Sequence, residues 1–324
     1  GFLYRPVREK SPETIDRQSR ELCRNTGYDE ISLSSLSSSD YTRITELLEK
    51  MLTWTDREKV SVSLPSLRVD GFSNELMEKL NTVRRGGLTF APEAGSQRLR
   101  NVINKGLTEE DILNGAALAF MGGWNRVKLY FMLGLPTETE EDMEGIALLS
   151  QKVAEEYYKI PKEERVGRVQ VTASSSFFVP KPFTPFQWEK QITPEEYLRR
   201  ARLLKDNMPS KSIEYNWHAA DLSRLEAVLA RGDRRLGPVL EEAVRRGARL
   251  DGWDEYFSYQ TWLDAFAACG VDPDFYTTRG FGLNELLPWD TISDGVSTGC
   301  LLRERERAYR SETTPDCRTA CNGC

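Results

Sequence analysis

The chain has 324 residues, 44 basic and 50 acidic side chains, and a formal net charge of −6. Its length can bury a sizeable core, and its apolar runs fall short of the about 18–20 residues that a membrane span needs. The single histidine, His218, excludes any site built on a histidine pair, and the mild acidity argues against broad nucleic-acid binding. Six cysteines without a signal-peptide pattern predict a cytoplasmic protein with reduced thiols.

Helix-like and strand-like segments alternate through the first two-thirds of the chain. Apolar, β-branched stretches predict strands at 28–36, 60–64, 88–91, 127–133, 169–178 and 212–217. The run at 127–133 is apolar on both faces, as expected of a central parallel strand. Amphipathic or capped segments predict helices at 12–26, 42–53, 73–84, in two parts within 96–119, from 140, and at 193–206. Because helices between strands produce right-handed β-α-β units, the pattern predicts an α/β fold with a parallel sheet, a full or partial barrel.

The composition changes after Trp217. Residues 221–247 are charged and helical in pattern, and residues 251–290 are rich in aromatic side chains. We therefore predict a barrel over 1–217 and a helical, aromatic-rich extension over 218–302 that packs on it. Residues 303–324 are polar without apolar periodicity, which predicts a cysteine-containing tail.

Hydroxyl-bearing, charged or turn-forming residues follow each of the first five predicted strands. Barrel enzymes place their active sites at the carboxyl ends of the strands, so these segments predict a ligand-binding rim. Its serines, with the cation Arg68 and the carboxylate Glu93, suit a zwitterionic, ribose-bearing ligand. A purely turn-forming role is the alternative for any one segment, and five in succession weaken it.

Five segments in this order resemble radical S-adenosylmethionine (SAM) enzymes, most closely a cobalamin-binding-type branch of unknown substrate. They are 5–13 (RPVREKSPE), 31–41 (ISLSSLSSSDY), 90–96 (FAPEAGS), 130–139 (YFMLGLPTET) and 178–186 (FVPKPFTPF). The resemblance implies a partial (β/α)6 TIM-like barrel that binds SAM beside a [4Fe–4S] cluster, with cobalamin in the full-length protein. It also implies a reductant such as ferredoxin or flavodoxin, and a 5′-deoxyadenosyl radical that abstracts hydrogen from a substrate.

The resemblance also assigns SAM-contacting positions, one residue at a time. The matching positions are Ser37, Ser38 and Ser39 for the amino group, Ser66 and Arg68 for the carboxylate, Glu93 and Ser96 for the ribose, and Phe178 and Pro180 for the strand end near the adenine. These positions lie in the rim segments, so the resemblance and the rim prediction point to the same edge of the sheet.

Radical SAM enzymes ligate their cluster through a C-x3-C-x2-C set after the first barrel strand, and no such set opens this chain. We therefore expect those ligands, and that strand, upstream of Gly1, and we expect this fragment to be inactive alone. The same spacing occurs at Cys317, Cys321 and Cys324. Thiolates so spaced can hold an auxiliary iron–sulfur cluster or zinc. A tail with free thiols and a catalytic cluster are the alternatives.

Other chemically notable residues receive less specific interpretations. His218 follows the last strand, where a hydrogen-bonded structural role competes with substrate contact or proton transfer. Cys23 and Cys269 are predicted to be buried small hydrophobes. The arginines within 231–235 are predicted to lie on a solvated helix face, with RNA contact as the alternative. A second function class is a non-catalytic scaffold that carries a structural metal at the terminal cysteines and recruits a partner through its aromatic extension.

Overall fold

A computed structural model describes residues 8–33, 41–63, 88–316 and 319–323. The predicted helix at 73–84 lies outside these residues, as do several predicted site residues: Ser37, Ser38, Ser39, Ser66, Arg68, Cys317 and Cys324. Within the described ranges, no helix has the length and apolar character needed to cross a bilayer.

All six predicted strands are present, and every pairing between them is parallel. They are β1 (Glu30–Ser32), β2 (Ser61–Ser63), β3 (Leu88–Glu93), β4 (Arg126–Leu133), β5 (Gln170–Phe177) and β6 (Ile213–Trp217). β1 pairs with β2, and β3 to β6 form a four-stranded sheet in chain order. With helices between the strands, the chain has the predicted α/β fold, a partial (β/α) barrel.

The described residues contain ten α-helices, and side-chain caps fix where several of them begin. They are α1 (Pro12–Thr26), α2 (Ile44–Glu58), α3 (Gln97–Val102), α4 (Glu109–Met121), α5 (Glu140–Tyr158), α6 (Pro194–Asp206), α7 (Ala220–Arg231), α8 (Leu236–Arg245), α9 (Tyr259–Ala268) and α10 (Thr298–Tyr309). Thr108 and Thr139 each form a capping box, with Asp111 and Asp142 respectively. These boxes satisfy backbone N–H groups that the helix itself leaves unpaired.

The main hydrophobic core lies between the four-stranded sheet and the helices on one of its faces. Val127, Leu129 and Phe131 of β4 point into this core and are buried. The prediction that β4 is apolar and buried on both faces is wrong for Lys128 and Tyr130, which are exposed. Strand residues alternate between faces, and only the helix-facing side of β4 is covered here.

The extension contributes to two hydrophobic clusters that contain aromatic side chains, and its helical part continues further along the chain than predicted. One cluster joins α7, α8 and α9, and the other joins Trp188, which follows β5, to Trp289 and to Leu301 of α10. The Trp289 indole N–H donates to Gln187 Oε1 at 2.8 Å in a buried contact. α10 crosses residue 303, where we placed the start of the tail, because Leu301 and Ala308 are buried on its inner face.

Candidate functional site

A cavity of about 590 Å³ opens at the carboxyl ends of β4, β5 and β6. Its apolar wall comes from the segments that follow these strands and from the end of α3, while α10 closes one side. The lining residues include Ile103, Asn104, Met132, Leu135, Ser176, Phe178, Val179, Lys181, Phe186, His218, Glu226, Glu304 and Ala308. The parts of the predicted rim that follow β4 and β5 therefore border a concave site, at the edge where barrel enzymes bind their ligands.

Phe178, which we predicted to lie near the adenine, lines this cavity. Its N–H extends the sheet by donating to Leu133 O at 2.9 Å, and its carbonyl accepts from the buried Gln191 amide at 3.0 Å. Its ring meets the Phe186 ring edge to face, with 6.1 Å between centroids. Pro180 is buried two residues further along. The backbone and the ring of Phe178 are thus both held in place.

Glu93 and Ser96 occupy the same edge, but their side chains make contacts within the protein. The Glu93 carboxylate pairs with Lys105 at 3.1 Å. The Ser96 hydroxyl caps α3 by accepting from Leu99 N–H at 3.0 Å, and it donates to the Asp142 carboxylate. Neither side chain lies in the cavity wall that Phe178 lines. Their assignment to the ribose stays a prediction, and Ser96 has a structural role that the sequence did not indicate.

Backbone strain concentrates in the loops at this edge. Glu93, the last residue of β3, has a φ of 66°, and Thr137 after β4 and Phe183 after β5 have φ values of 65° and 58°. A left-handed backbone is unfavourable for a β-branched or aromatic residue, and such residues cluster at functional sites. At β3 the sheet register also shifts between Phe90 and Glu93, where Pro92 has no N–H to donate.

A buried arginine holds the loop that follows β3. The Arg100 guanidinium is fully buried, and one of its nitrogens donates to Ala94 O and Gly95 O, both at 3.0 Å. A second nitrogen donates to Gln97 Oε1 at 3.0 Å. Burial lowers the pKa of Arg100. We did not predict a role for Arg100, because the sequence of α3 does not show that its fourth residue faces two loop carbonyls.

Asp142 ties the β3 loop to the β4 loop. Its buried carboxylate accepts from Ser96 and Arg98, and also from Thr139 N–H at 2.8 Å. Burial alone would raise the pKa of Asp142, but these hydrogen bonds lower it below the ordinary value. The same Arg98 donates to Thr137 O at 2.7 Å. The Asp142 carboxylate therefore connects the loop after β3 to the loop after β4.

We expect Asp142→Asn to lower the free energy of unfolding at pH 7 by about 2 kcal/mol, because the amide leaves charged and hydroxyl donors without their acceptor. A carboxylate with a lowered folded pKa stabilises the protein above its unfolded pKa, and this stabilisation is lost as pH falls through the folded pKa. The difference in unfolding free energy between the unaltered chain and Asp142→Asn should therefore shrink below about pH 4. Urea unfolding at pH 7 and at pH 3 measures it, and an equal difference at both pH values would contradict the assignment.

A second buried carboxylate holds the loop after β4. Glu138 Oε2 accepts from Gly134 N–H at 2.8 Å and from Arg200 of α6 at 2.5 Å. Burial raises the pKa of Glu138, opposed by these two donors. The Glu138–Arg200 pair therefore holds the turn formed by residues 134–138 (GLPTE).

His218 and the C-terminal helix complete the site. The His218 backbone donates to Ser175 O at 3.0 Å, while its ring lines the cavity without a hydrogen bond to any residue in the described ranges. The prediction of a hydrogen-bonded structural ring is therefore not what these residues show. We did not predict that α10 lines the cavity, because charged residues lie between its buried positions in the sequence. Arg305 and Tyr309 anchor this helix to Glu189, at 2.7 and 2.9 Å.

The described cysteines do not form a ligand set. Cys23 and Cys269 are half-buried rather than fully buried, Cys300 is buried, and Cys321 is exposed. Over residues 8–33, 41–63, 88–316 and 319–323, no three His, Cys, Asp or Glu side chains are arranged to hold a metal ion. The predicted triad includes two cysteines outside those ranges, so it stays a prediction.

Parts of this chain are similar to known proteins. Residues 2–149 match the family model described as the Radical SAM superfamily. The chain is 32% identical over 239 residues to "Uncharacterized protein MJ0966" of Methanocaldococcus jannaschii, covering 74% of this chain and 49% of that protein. It is 28% identical over 149 residues to "Putative methylthiotransferase MJ0865" of the same organism, covering 44% and 32%. The chain thus spans about half or less of these relatives.

Proposed function

We propose that this chain is the core of a radical SAM enzyme that binds SAM at the carboxyl edge of its sheet, because residues 2–149 match the model of the Radical SAM superfamily. The observation that carries this proposal is the cavity at the ends of β4, β5 and β6, lined by Phe178 as the family resemblance requires. Bound beside a [4Fe–4S] cluster, SAM supplies a hydrogen-abstracting radical when it is reductively cleaved.

The residues around the cavity fit a ligand of this kind. A volume of about 590 Å³ suits a small cofactor, and the wall combines apolar side chains with a few polar groups. Met132, Leu135 and Phe178 provide an apolar surface that would exclude water from an adenine. Ser176 and His218 provide polar groups at the rim. Arg100 and Asp142, outside the wall, hold the backbone of the β3 loop.

The iron–sulfur cluster would be ligated outside the described residues, since those residues contain no group of three ligands. We assign no reaction step through it to this chain. A reductant of the ferredoxin or flavodoxin class would deliver the electron. Cys317, Cys321 and Cys324 are proposed as an auxiliary cluster or zinc site. Iron and zinc analysis of the unaltered chain and of Cys321→Ser tests that part separately.

Two finer assignments accompany the proposal. The ordered segments at 31–41, 90–96 and 130–139 support a cobalamin-binding-type enzyme, and cobalamin content of the full-length protein tests it. The name of the relative MJ0865 supports methylthiotransfer as a candidate reaction. An assay for methylthiolated product, compared with one for methylated product, distinguishes this candidate from simple methyl transfer.

We expect SAM to bind the chain, and Phe178→Leu to raise its dissociation constant about two- to tenfold, because leucine keeps the apolar volume and loses the ring face. Isothermal calorimetry measures both. Tyr256→Leu is the matched control, since Tyr256 is 57% exposed and outside the cavity, and it should bind like the unaltered chain. Absence of SAM binding would refute the proposed site. Equal affinity of Phe178→Leu would remove Phe178 from it.

A further inference from the structure

His218 has a fixed backbone at the edge of the sheet. It directly follows β6, its N–H donates to Ser175 O at 3.0 Å, and its carbonyl accepts from the Tyr197 hydroxyl of α6 at 3.2 Å. Tyr197 is fully buried, and burial raises the pKa of its hydroxyl to about 12, so the donor persists at ordinary pH. Two neighbouring elements therefore hold the backbone of His218 in place.

His218 is one of the residues that line the cavity. The side chain of His218 lines the wall together with Ser176 and Phe178, and it is exposed to solvent. Its only hydrogen bonds within the described part of the chain are those of its backbone. A neutral imidazole carries one donor and one acceptor. Both remain available to a molecule that occupies the cavity.

The polar side chains beside His218 are already engaged. Lys181 forms an ion pair with Glu226 of α7. The Ser176 hydroxyl donates to Phe131 O at 3.3 Å. The His218 ring, by contrast, makes no hydrogen bond within the described residues, so both of its nitrogens are open to a ligand there. His218 is therefore well placed to bind a ligand at this mouth of the cavity.

We propose that the His218 imidazole forms a hydrogen bond with SAM bound in this cavity and so contributes to its affinity. This inference rests on the proposed SAM binding and adds a residue to which the family resemblance gives no role. One such hydrogen bond corresponds to a change of roughly two- to tenfold in the dissociation constant. Because His218 is the only histidine of the chain, its ring can be observed without assignment ambiguity.

The test is a titration of ¹⁵N-histidine-labelled chain with SAM, followed by the two imidazole nitrogen signals. We expect a shift that saturates at the same SAM concentration as the calorimetric isotherm. His218→Ala should bind SAM two- to tenfold more weakly. His218→Gln, which keeps a donor and an acceptor, should recover most of the affinity.

The possible failures are distinguishable. If SAM binds by calorimetry while the imidazole signals stay in place and His218→Ala binds as tightly as the unaltered chain, this inference is wrong and the proposed function stands. If the unaltered chain binds no SAM, the proposed function is wrong and the inference with it. Circular dichroism of both variants excludes loss of fold as the cause of weaker binding.

Discussion

Gly95→Ala is expected to lower the free energy of unfolding by about 3 kcal/mol or more, because the β3 loop crosses α5 at van der Waals contact. A Cβ at Gly95 would lie 2.5 Å from Gly145 C and 2.7 Å from Asp142 O, and closer still to Ile146 N. All three are backbone atoms of α5, so no side chain can rotate away. The loop would have to leave the helix, and the Ser96 to Asp142 contact would be lost with it.

The matched control is Gly237→Ala. Gly237 is the second residue of α8, and a Cβ there meets nothing within 4 Å. Alanine is the better helix former, so we expect stability to rise by about 0.5 kcal/mol. Urea unfolding followed by circular dichroism compares the two variants with the unaltered chain. If Gly95→Ala is as stable as Gly237→Ala, the close approach of the β3 loop to α5 is not real.

Arg100→Met is expected to lower the free energy of unfolding by about 3 kcal/mol, because it removes hydrogen bonds from a fully buried guanidinium. The carbonyls of Ala94 and Gly95 would lose their donor while the methionine kept most of the packing volume. The same change should weaken SAM binding, since the Glu93 to Ser96 loop would no longer be held. Arg100 acts as a positioning residue in this account.

The control is Arg126→Met. Arg126 begins β4, is exposed, and has no hydrogen bond or ion pair within the described residues, so we expect a change within about 0.5 kcal/mol. Arg100→Lys, which keeps one charge, should restore part of the SAM affinity lost in Arg100→Met. Equal stability of Arg100→Met and Arg126→Met would show that the buried guanidinium does not hold the loop.

Most of the fold could be predicted from local signals. The helix predicted from residue 140 begins there, because Thr139 and Asp142 form a capping box through side-chain contacts within four residues. Strand positions followed from apolar runs between such helices. The two errors have non-local causes. Burial of both faces of β4 depends on what covers the sheet, and the course of α10 depends on Glu189, 116 residues away from its partner Arg305.

The site was less predictable than the fold. Phe178 could be placed because it ends a strand, and strand ends converge at one edge of a parallel sheet. The contact of the Ser96 hydroxyl with Asp142 could not be predicted, since it joins residues 46 positions apart. Arg100 and His218 gave no local signal, because their roles depend on which groups the fold brings beside them.

We propose that this chain provides the SAM-binding core of a radical SAM enzyme, and 5′-deoxyadenosine release tests this proposal. The protein is assayed with this chain and its proposed cluster cysteines together, reconstituted with iron and sulfide and supplied with SAM and dithionite. We expect 5′-deoxyadenosine that requires both SAM and reductant, and less of it from Phe178→Leu at limiting SAM. A reconstituted protein with its full complement of iron and sulfide and no 5′-deoxyadenosine release would contradict the proposal.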